Sequence, residues 1–260
     1  MKILLTNDDG IHSEGLYALF EALKSENDVS VVAPEIEMSA VGHAITLNQP
    51  LRVRKVNKNG SFYGYAVTGT PADCIKIAVK ELLKIPPDFI LSGINLGRNV
   101  GMDILYSGTV SAATEGAFLG FPSAAISLDT RKSPDYSFAA KFSREIVRFL
   151  KETRLRDGTA LNVNIPAVHQ EKIEGIVFTR QGTSRFEERF ERRNDPRGNT
   201  YYWLSGETLI ENGKEESDSM ALKKKKITVT PIQYDLTCEE EMRRLKAKAK
   251  FFERKLEHKD

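Results

Sequence analysis

Cysteine is nearly missing from this chain: Cys74 and Cys238 are the only two in 260 residues. That excludes a disulfide framework and a thiolate-held metal. No apolar run approaches membrane-spanning length, and the N-terminus leads straight into a strand-like segment rather than a signal peptide. No membrane partner is therefore expected, and a cytoplasmic location is. There is also no charge imbalance. With 38 Lys and Arg against 36 Asp and Glu the formal net charge is +2, which gives no reason to expect a nucleic-acid polymer as partner. The densest basic run, Lys223-Lys224-Lys225-Lys226, reads as a solvated lead-in to a strand. Internal repeats and low-complexity linkers are absent too. What remains, 40% hydrophobic and 28% charged, is the composition of a globular protein able to bury a real core.

The chain opens with Ile3-Leu4-Leu5-Thr6, a short apolar run, followed without a spacer by Asn7-Asp8-Asp9-Gly10. Such a run, ended by a turn and followed by helical periodicity, reads as a buried parallel strand. Leu16, Leu19, Phe20 and Leu23 mark a helix over 13–25, and Val29 to Ala33 is the next strand, stopped by Pro34. The loop Pro34 to Gly42 carries Glu35, Glu37 and Ser39 toward the edge that holds the Asp pair. A hairpin follows, with Leu51–Val53 and Tyr63–Val67 as arms and Asn57 to Gly60 as turn.

Thr70-Pro71-Ala72-Asp73 has the form of a helix start with a capping box. Asp88 to Ser92 is a strand running into a Gly- and Asn-rich loop, Gly93 to Asn99. Ser107-Gly108-Thr109 opens a helix reaching about Gly120, Ala124 to Leu128 is a strand, residues 135–152 a helix, and Leu161 to Ile165 another strand. This alternation predicts an α/β fold with a doubly wound, mostly parallel, Rossmann-like sheet. Residues 1–180 are expected to form the catalytic core. Residues 181–260 are expected to add a β-hairpin arm, a late strand at Ile227 to Pro231 and a C-terminal helix over Glu239 to His258, all within one overall fold. Residues 173–179 and 199–204 read as antiparallel strands. Met242, Leu245, Ala249, Phe252 and Leu256 give the last helix an apolar seam for the core or for another subunit.

Strand carboxyl ends bring Asp8 and Asp9, Ser39, and Asn95 to one edge, where ligands collect in open α/β sheets. Adjacent carboxylates repel unless a cation or a proton lies between them. Carboxylate, hydroxyl and amide oxygens without His or Cys suit Mg²⁺, Mn²⁺ or Ca²⁺ rather than zinc. The helix opening at Ser107 offers free N–H groups and a positive dipole end to an anion, with Gly108 allowing close approach and Thr109 adding a hydroxyl. A solvated acidic turn and simple Ser/Thr capping explain the same residues without chemistry. A cation site facing an anion nest is, however, what phosphoryl transfer needs.

Four stretches carry a resemblance: Leu5 to Gly10, Val67 to Cys74, Ser92 to Gly97 and Tyr106 to Val110. Together they closely resemble the SurE (survival protein E) family of metal-dependent nucleotidases. Leu161 to Pro166, Thr179 to Gly182 and Val229 to Pro231 extend the match over roughly residues 1–237. The resemblance implies Asp8, Asp9, Ser39 and Asn95 as ligands of one divalent cation per subunit (Mg, Mn or Ca), with Asp8, Asp9 and Asn95 catalytic. It implies Ser107, Gly108 and Thr109 as the phosphate site, and a homodimer or homotetramer. Its substrates would be 5′- and 3′-nucleoside monophosphates, with short polyphosphate as a further one. Gly42 and His43 are candidate substrate contacts.

Three departures accompany the match. The loop after Ser39 reads Ala40-Val41-Gly42-His43-Ala44 where the family is richer in Gly and Ser, Ser111 replaces a small residue, and Lys225 or Lys226 stands where a Gly commonly precedes the late strand. Cys74 is expected in the core, and Tyr201, Tyr202 and Trp203 on an intersubunit arm. Other phosphate-handling families fit less well. A receiver-type signalling domain needs a third Asp and a Lys where this chain has Asn95 and Ser127, and a haloacid-dehalogenase-type phosphatase needs Asp at position 10, which is Gly. A nucleotide-binding module without catalysis remains the alternative.

Overall fold

The computed structural model describes residues 1–130, 132, 134–209, 216–246 and 248. In chain order the strands of the first half are β1 (Lys2–Thr6), β2 (Asp28–Pro34), β3 (Val53–Lys58), β4 (Ser61–Val67), β5 (Phe89–Leu96) and β6 (Ser123–Asp129). Those of the second half are β7 (Thr159–Pro166), β8 (Ile176–Phe178), β9 (Arg185–Asn194), β10 (Thr200–Leu209) and β11 (Ile227–Gln233). The α-helices are α1 (Glu14–Leu23), α2 (Pro71–Ile77), α3 (Gly108–Phe118), α4 (Ser137–Glu152), α5 (Asp218–Lys223) and α6 (Glu239–Lys246).

Nine strands form one sheet in the order β3-β4-β2-β1-β5-β6-β7-β11-β8, and β9 and β10 pair separately. The six from β4 to β7 are mutually parallel, with β3 and β11 antiparallel at the two flanks. The expected α/β class and doubly wound parallel core are present. Strand period decides which residue faces which layer. Ile3 and Leu5 join Leu16, Leu19 and Leu23 of α1 and Ile146, Val147 and Leu150 of α4 on one face. Leu4 points the other way, to Cys74 and Ile75 of α2 and Ala112 of α3. Cys74 is the buried core thiol expected of it, and burial pushes its pKa well up.

From β1 the chain crosses to β2 on one side and later returns to β5 on the other. The crossovers leave a crevice outside the carboxyl ends of β1 and β5, the position where such sheets bind ligands.

Several elements differ from their sequence reading. β5 does not stop at Ser92. It resumes after an irregularity and pairs Asn95 with Ser127, so Asn95 is held in the sheet rather than in a loop. Glu35 forms an ion pair at 2.8 Å with Arg54 of β3 and does not face the Asp pair. The first strand of the hairpin lies later than expected, at Val53–Lys58 rather than Leu51–Val53, and β4 also pairs in parallel with β2. β8 runs parallel to its neighbour β11, and both are antiparallel to the core strands. The short helix α5 was not expected. α6 has no buried residue, and Leu245 on its seam is half exposed. Ala249, Phe252 and Leu256 lie outside the described residues.

Two of the sequence departures have a backbone correlate. Ala40 and Lys225 adopt φ of 56° and 58°, the left-handed region where a glycine would be unstrained. Ser111 is harmless: its hydroxyl donates to the Ser107 carbonyl at 2.6 Å within α3.

Candidate active site

The turn after β1 is built from within. The Asn7 side-chain amide donates to the Gly10 carbonyl at 3.0 Å and to the Ser13 hydroxyl at 2.7 Å. Ser13 in turn caps α1. Gly10 takes φ 94°, and a Cβ on it would meet the Ile36 carbonyl carbon at 3.2 Å, so the turn and the loop after β2 are pressed together. This geometry leaves Asp8 and Asp9 side by side at the crevice, Asp8 only 5% exposed.

Asp8 lies against the first turn of α3. Its Oδ1 accepts a short hydrogen bond from the Thr109 hydroxyl. A Cβ on Gly108 would come within 2.7 Å of the Asp8 Cβ and 3.0 Å of its Oδ2. Burial pushes the Asp8 carboxyl above its ordinary range, opposed by the hydroxyl and amide of Thr109 and the amide of Gly108. Asp9 is pushed up to about 7, first by burial and next by the charge of Asp8, with Glu37 adding to it. Only the Leu96 N–H, donating to its Oδ2 at 3.3 Å, works the other way. The charge of Asp8 therefore makes Asp9 harder to ionise, and the pair lacks positive charge.

The loop after β2 reaches the same place. The Met38 N–H donates to the Asp8 carbonyl at 2.7 Å, and Ser39, the next residue, donates to Glu37 at 2.6 Å. Asn95 uses its side-chain N–H on the Gly97 carbonyl at 2.8 Å, which leaves its carbonyl oxygen as the remaining acceptor. Asp9 contacts the amide of Leu96, the residue after Asn95. Asp8, Ser39 and Asn95 belong to three different strands: the first two follow β1 and β2, and Asn95 lies in β5. Buried Thr6, Asn7 and Ser92 each carry a side-chain oxygen without a hydrogen-bond partner in the same turn region. Among the described residues no group of three or more His, Cys, Asp or Glu side chains is placed to hold a metal. A cation at the Asp pair would thus rest on mixed oxygen donors, which suits a hard divalent ion.

The residues at the start of α3 are equally engaged. Ser107 caps α3 by accepting from the Val110 N–H at 3.1 Å. Gly42 and His43 are drawn into internal contacts: the Gly42 N–H donates to the Tyr106 carbonyl at 2.9 Å, and the His43 Nε2 lies 2.8 Å from a Glu115 carboxylate oxygen. His12, also near the Asp pair in sequence, is exposed.

Two supporting networks escaped sequence reasoning. Asn99, Asn162 and Asn164 are buried together. The Asn162 and Asn164 amides donate to the Asn99 carbonyl at 2.8 and 2.9 Å, and Asn164 accepts from the Asn99 N–H at 2.7 Å. The hint was there, since an apolar strand buried on both faces cannot hold two amides without partners. Farther along, Asp218 is fully buried and accepts from the N–H groups of Gly101 and Gly182 at 2.9 Å each. Both networks fix the segment between β5 and Ser107. No sequence feature marked Asp218.

Comparison with known proteins places this arrangement. Residues 3–188 match the family model described as "Survival protein SurE". The chain is 54% identical over 248 residues to the 5′-nucleotidase SurE of Syntrophus aciditrophicus (strain SB), covering 95% of this chain and 93% of that protein. It is 52% identical over 237 residues to the protein of the same name in Syntrophobacter fumaroxidans (strain DSM 10017 / MPOB), covering 91% and 95%. The crystal structure of the SurE protein from Aquifex aeolicus superposes with a TM-score of 0.82 at 42% identity, over 95% of this chain and 99% of that one.

Proposed function

The chain belongs to the SurE family, and from that premise we propose that it is a nucleotidase, a phosphomonoesterase cleaving nucleoside monophosphates to nucleoside and phosphate. The observation that carries the reading is the contact between Asp8 and the first turn of α3. An anion seated on that turn would lie beside two carboxylates, an arrangement that is repulsive without a cation between them.

The family is metal-dependent in general. Asp8, Asp9, Ser39 and Asn95 would hold one divalent cation, Mg²⁺ or Mn²⁺ or Ca²⁺, because all four offer oxygen and the pair is short of positive charge. The bound cation supplies Lewis-acid neutralisation of the phosphoryl oxygens. Ser107 through its hydroxyl, and Gly108 and Thr109 through their amides, seat the phosphate. The Thr109 hydroxyl, fixed on Asp8 Oδ1, orients that carboxylate and leaves Oδ2 to take a proton from the attacking water. Phosphorus then gains a bond to the water oxygen and loses its bond to the nucleoside oxygen, which leaves with a proton from solvent.

We further propose 3′- as well as 5′-monophosphates and short polyphosphate as substrates, and a cytoplasmic setting. Residues 1–180 form the catalytic core in this reading. Residues 181–260 serve assembly into a homodimer or homotetramer, the exposed Phe190, Tyr202, Trp203 and Leu204 of the β9–β10 arm being suited to another subunit. Among the described residues no helix is long and apolar enough to cross a membrane.

Turnover of AMP with EDTA, and then with Mn²⁺ restored, tests the reaction. Activity that survives EDTA would remove the cation from the proposal, and no phosphate release with any divalent cation would leave a binding module. The stereochemical course at phosphorus tests the nucleophile: inversion supports direct attack by water, and net retention, the outcome of two displacements through a phosphorylated Asp8, refutes it.

A further inference from the structure

Glu115 sits in the middle of α3, only 4% exposed, with Ala112, Ala113, Gly116 and Ala117 around it in the helix. A lone carboxylate among such residues is costly unless it is paired. It has two partners: one oxygen lies 2.8 Å from the His43 Nε2 and the other 2.5 Å from the Lys76 Nζ. Burial alone would raise its pKa, but the hydrogen bonds from His43 and Lys76 outweigh burial and hold it below the usual carboxylate range. Glu115 and Lys76 lie outside the metal, phosphate and substrate residues of the site.

Both partners lead back to the phosphate site. His43 belongs to the stretch from Ser39 to Thr46, which has no strand ladder and is held by single contacts. The Thr70 hydroxyl donates to the Ala44 carbonyl at 2.7 Å, and the Thr46 N–H donates to Asp73 at 3.1 Å. Gly42, beside His43, donates to the Tyr106 carbonyl, and a Cβ there would meet the Leu105 carbonyl at 3.2 Å. This strap thus bears on the backbone immediately before Ser107. Lys76 belongs to α2, whose first residue Pro71 would touch a Cβ on Gly108 at 3.1 Å.

We propose that Glu115, through its contacts with His43 and Lys76, is a positioning residue that presses the Ser39–Thr46 strap onto Tyr106 and so sets the Ser107–Thr109 turn for phosphate. In this role His43 serves as an anchor of the strap and leaves the nucleoside to other groups. An apolar residue at 115 would fill the helix packing equally well, so the buried charge is accounted for by what it holds. The inference rests on the phosphomonoesterase reading.

The test uses the Mn²⁺-loaded full chain, well below its melting temperature, with p-nitrophenyl phosphate as substrate and orthophosphate as inhibitor. Glu115→Ala and His43→Ala should each raise KM and the orthophosphate Ki about tenfold while kcat changes less than about threefold, a loss of ground-state positioning. The double variant should be no worse than either single one, because the two residues act as a unit. Glu115→Gln, whose single carbonyl oxygen can still accept from Lys76, should give a KM between those of wild type and Glu115→Ala. Unchanged KM and Ki with only a lowered melting temperature would make the clamp purely structural and overturn the proposal, as would effects that multiply in the double variant. If Glu115→Ala does not fold, His43→Ala, at a side chain 39% exposed, decides alone. A wild-type chain that turns over neither p-nitrophenyl phosphate nor AMP would instead refute the enzymatic reading, which these variants do not touch.

Discussion

Asp9→Asn should stabilise the metal-free protein at pH 8 while weakening its hold on a divalent cation. The carboxyl of Asp9 moves from 3.8 to about 7 on folding, by burial and by the adjacent Asp8. A folded-state pKa above the unfolded one means that the folded chain binds more protons between those values, so stability falls as pH rises from about 4 to about 7. At roughly 1.4 kcal/mol per pH unit the shift sets a ceiling of about 4 kcal/mol. Asp9 is only partly buried, so solvent screening reduces the expected share to about 1–2 kcal/mol. For a chain of this size that is about 2–8 °C in Tm. Asparagine keeps an acceptor for the Leu96 N–H and carries no charge. In EDTA at pH 8 the variant should therefore melt above wild type, with the gap narrowing as pH falls and less than half of it left at about pH 4. Added Mn²⁺ should raise wild type at pH 8 and barely move the variant. Differential scanning calorimetry across that pH range is the assay. A variant that melts below wild type in EDTA at pH 8, or one whose gain is the same at both pH values, would refute the account of a charge-poor pair.

Gly108→Ala places a methyl 2.7 Å from the Asp8 Cβ, and should lower kcat/KM on AMP by about a hundredfold, since a displacement of about 1 Å at a reacting group can cost that much; steady-state kinetics beside a melting curve separates this from unfolding. Lys225→Gly should leave Tm unchanged or raise it by up to about 3 °C, because relief of the left-handed φ offsets the extra freedom of glycine in the unfolded chain; a clear fall in Tm would contradict it. Deleting residues 186–200 should reduce the mass seen by light scattering, and an unaltered oligomer would count against the arm as an assembly element.

Much of the fold was legible because strand and helix periods are local. The run Ile3 to Thr6, the seam Leu16-Leu19-Leu23 and the Thr70 cap each declare themselves within a dozen residues. Sheet order is not local. Nothing between Ile173 and Phe178 says that β8 will lie beside β11, and α5, six residues long, is too short for a helical period to show. The acid pair was legible from adjacency alone, and its position at the crevice followed from the β1–β5 reversal. Glu115 could have been noticed as the single charge in Gly108 to Phe118. Its partners lie 72 and 39 residues away in sequence, and only folding brings them together.

The Asp218 contact with Gly101 and Gly182 bears on when the protein can begin to work. Every group nominated for the chemistry lies at or before Thr109, yet the carboxylate that ties down the approach to Ser107 is residue 218. A chain emerging from the ribosome carries all of its reacting groups more than a hundred residues before it can hold them in register. Domains fold largely as units during synthesis, and here one fixing point arrives with α5, more than a hundred residues after Ser107. Fragments truncated before Asp218 should accordingly keep the acid pair without a settled Ser107 turn.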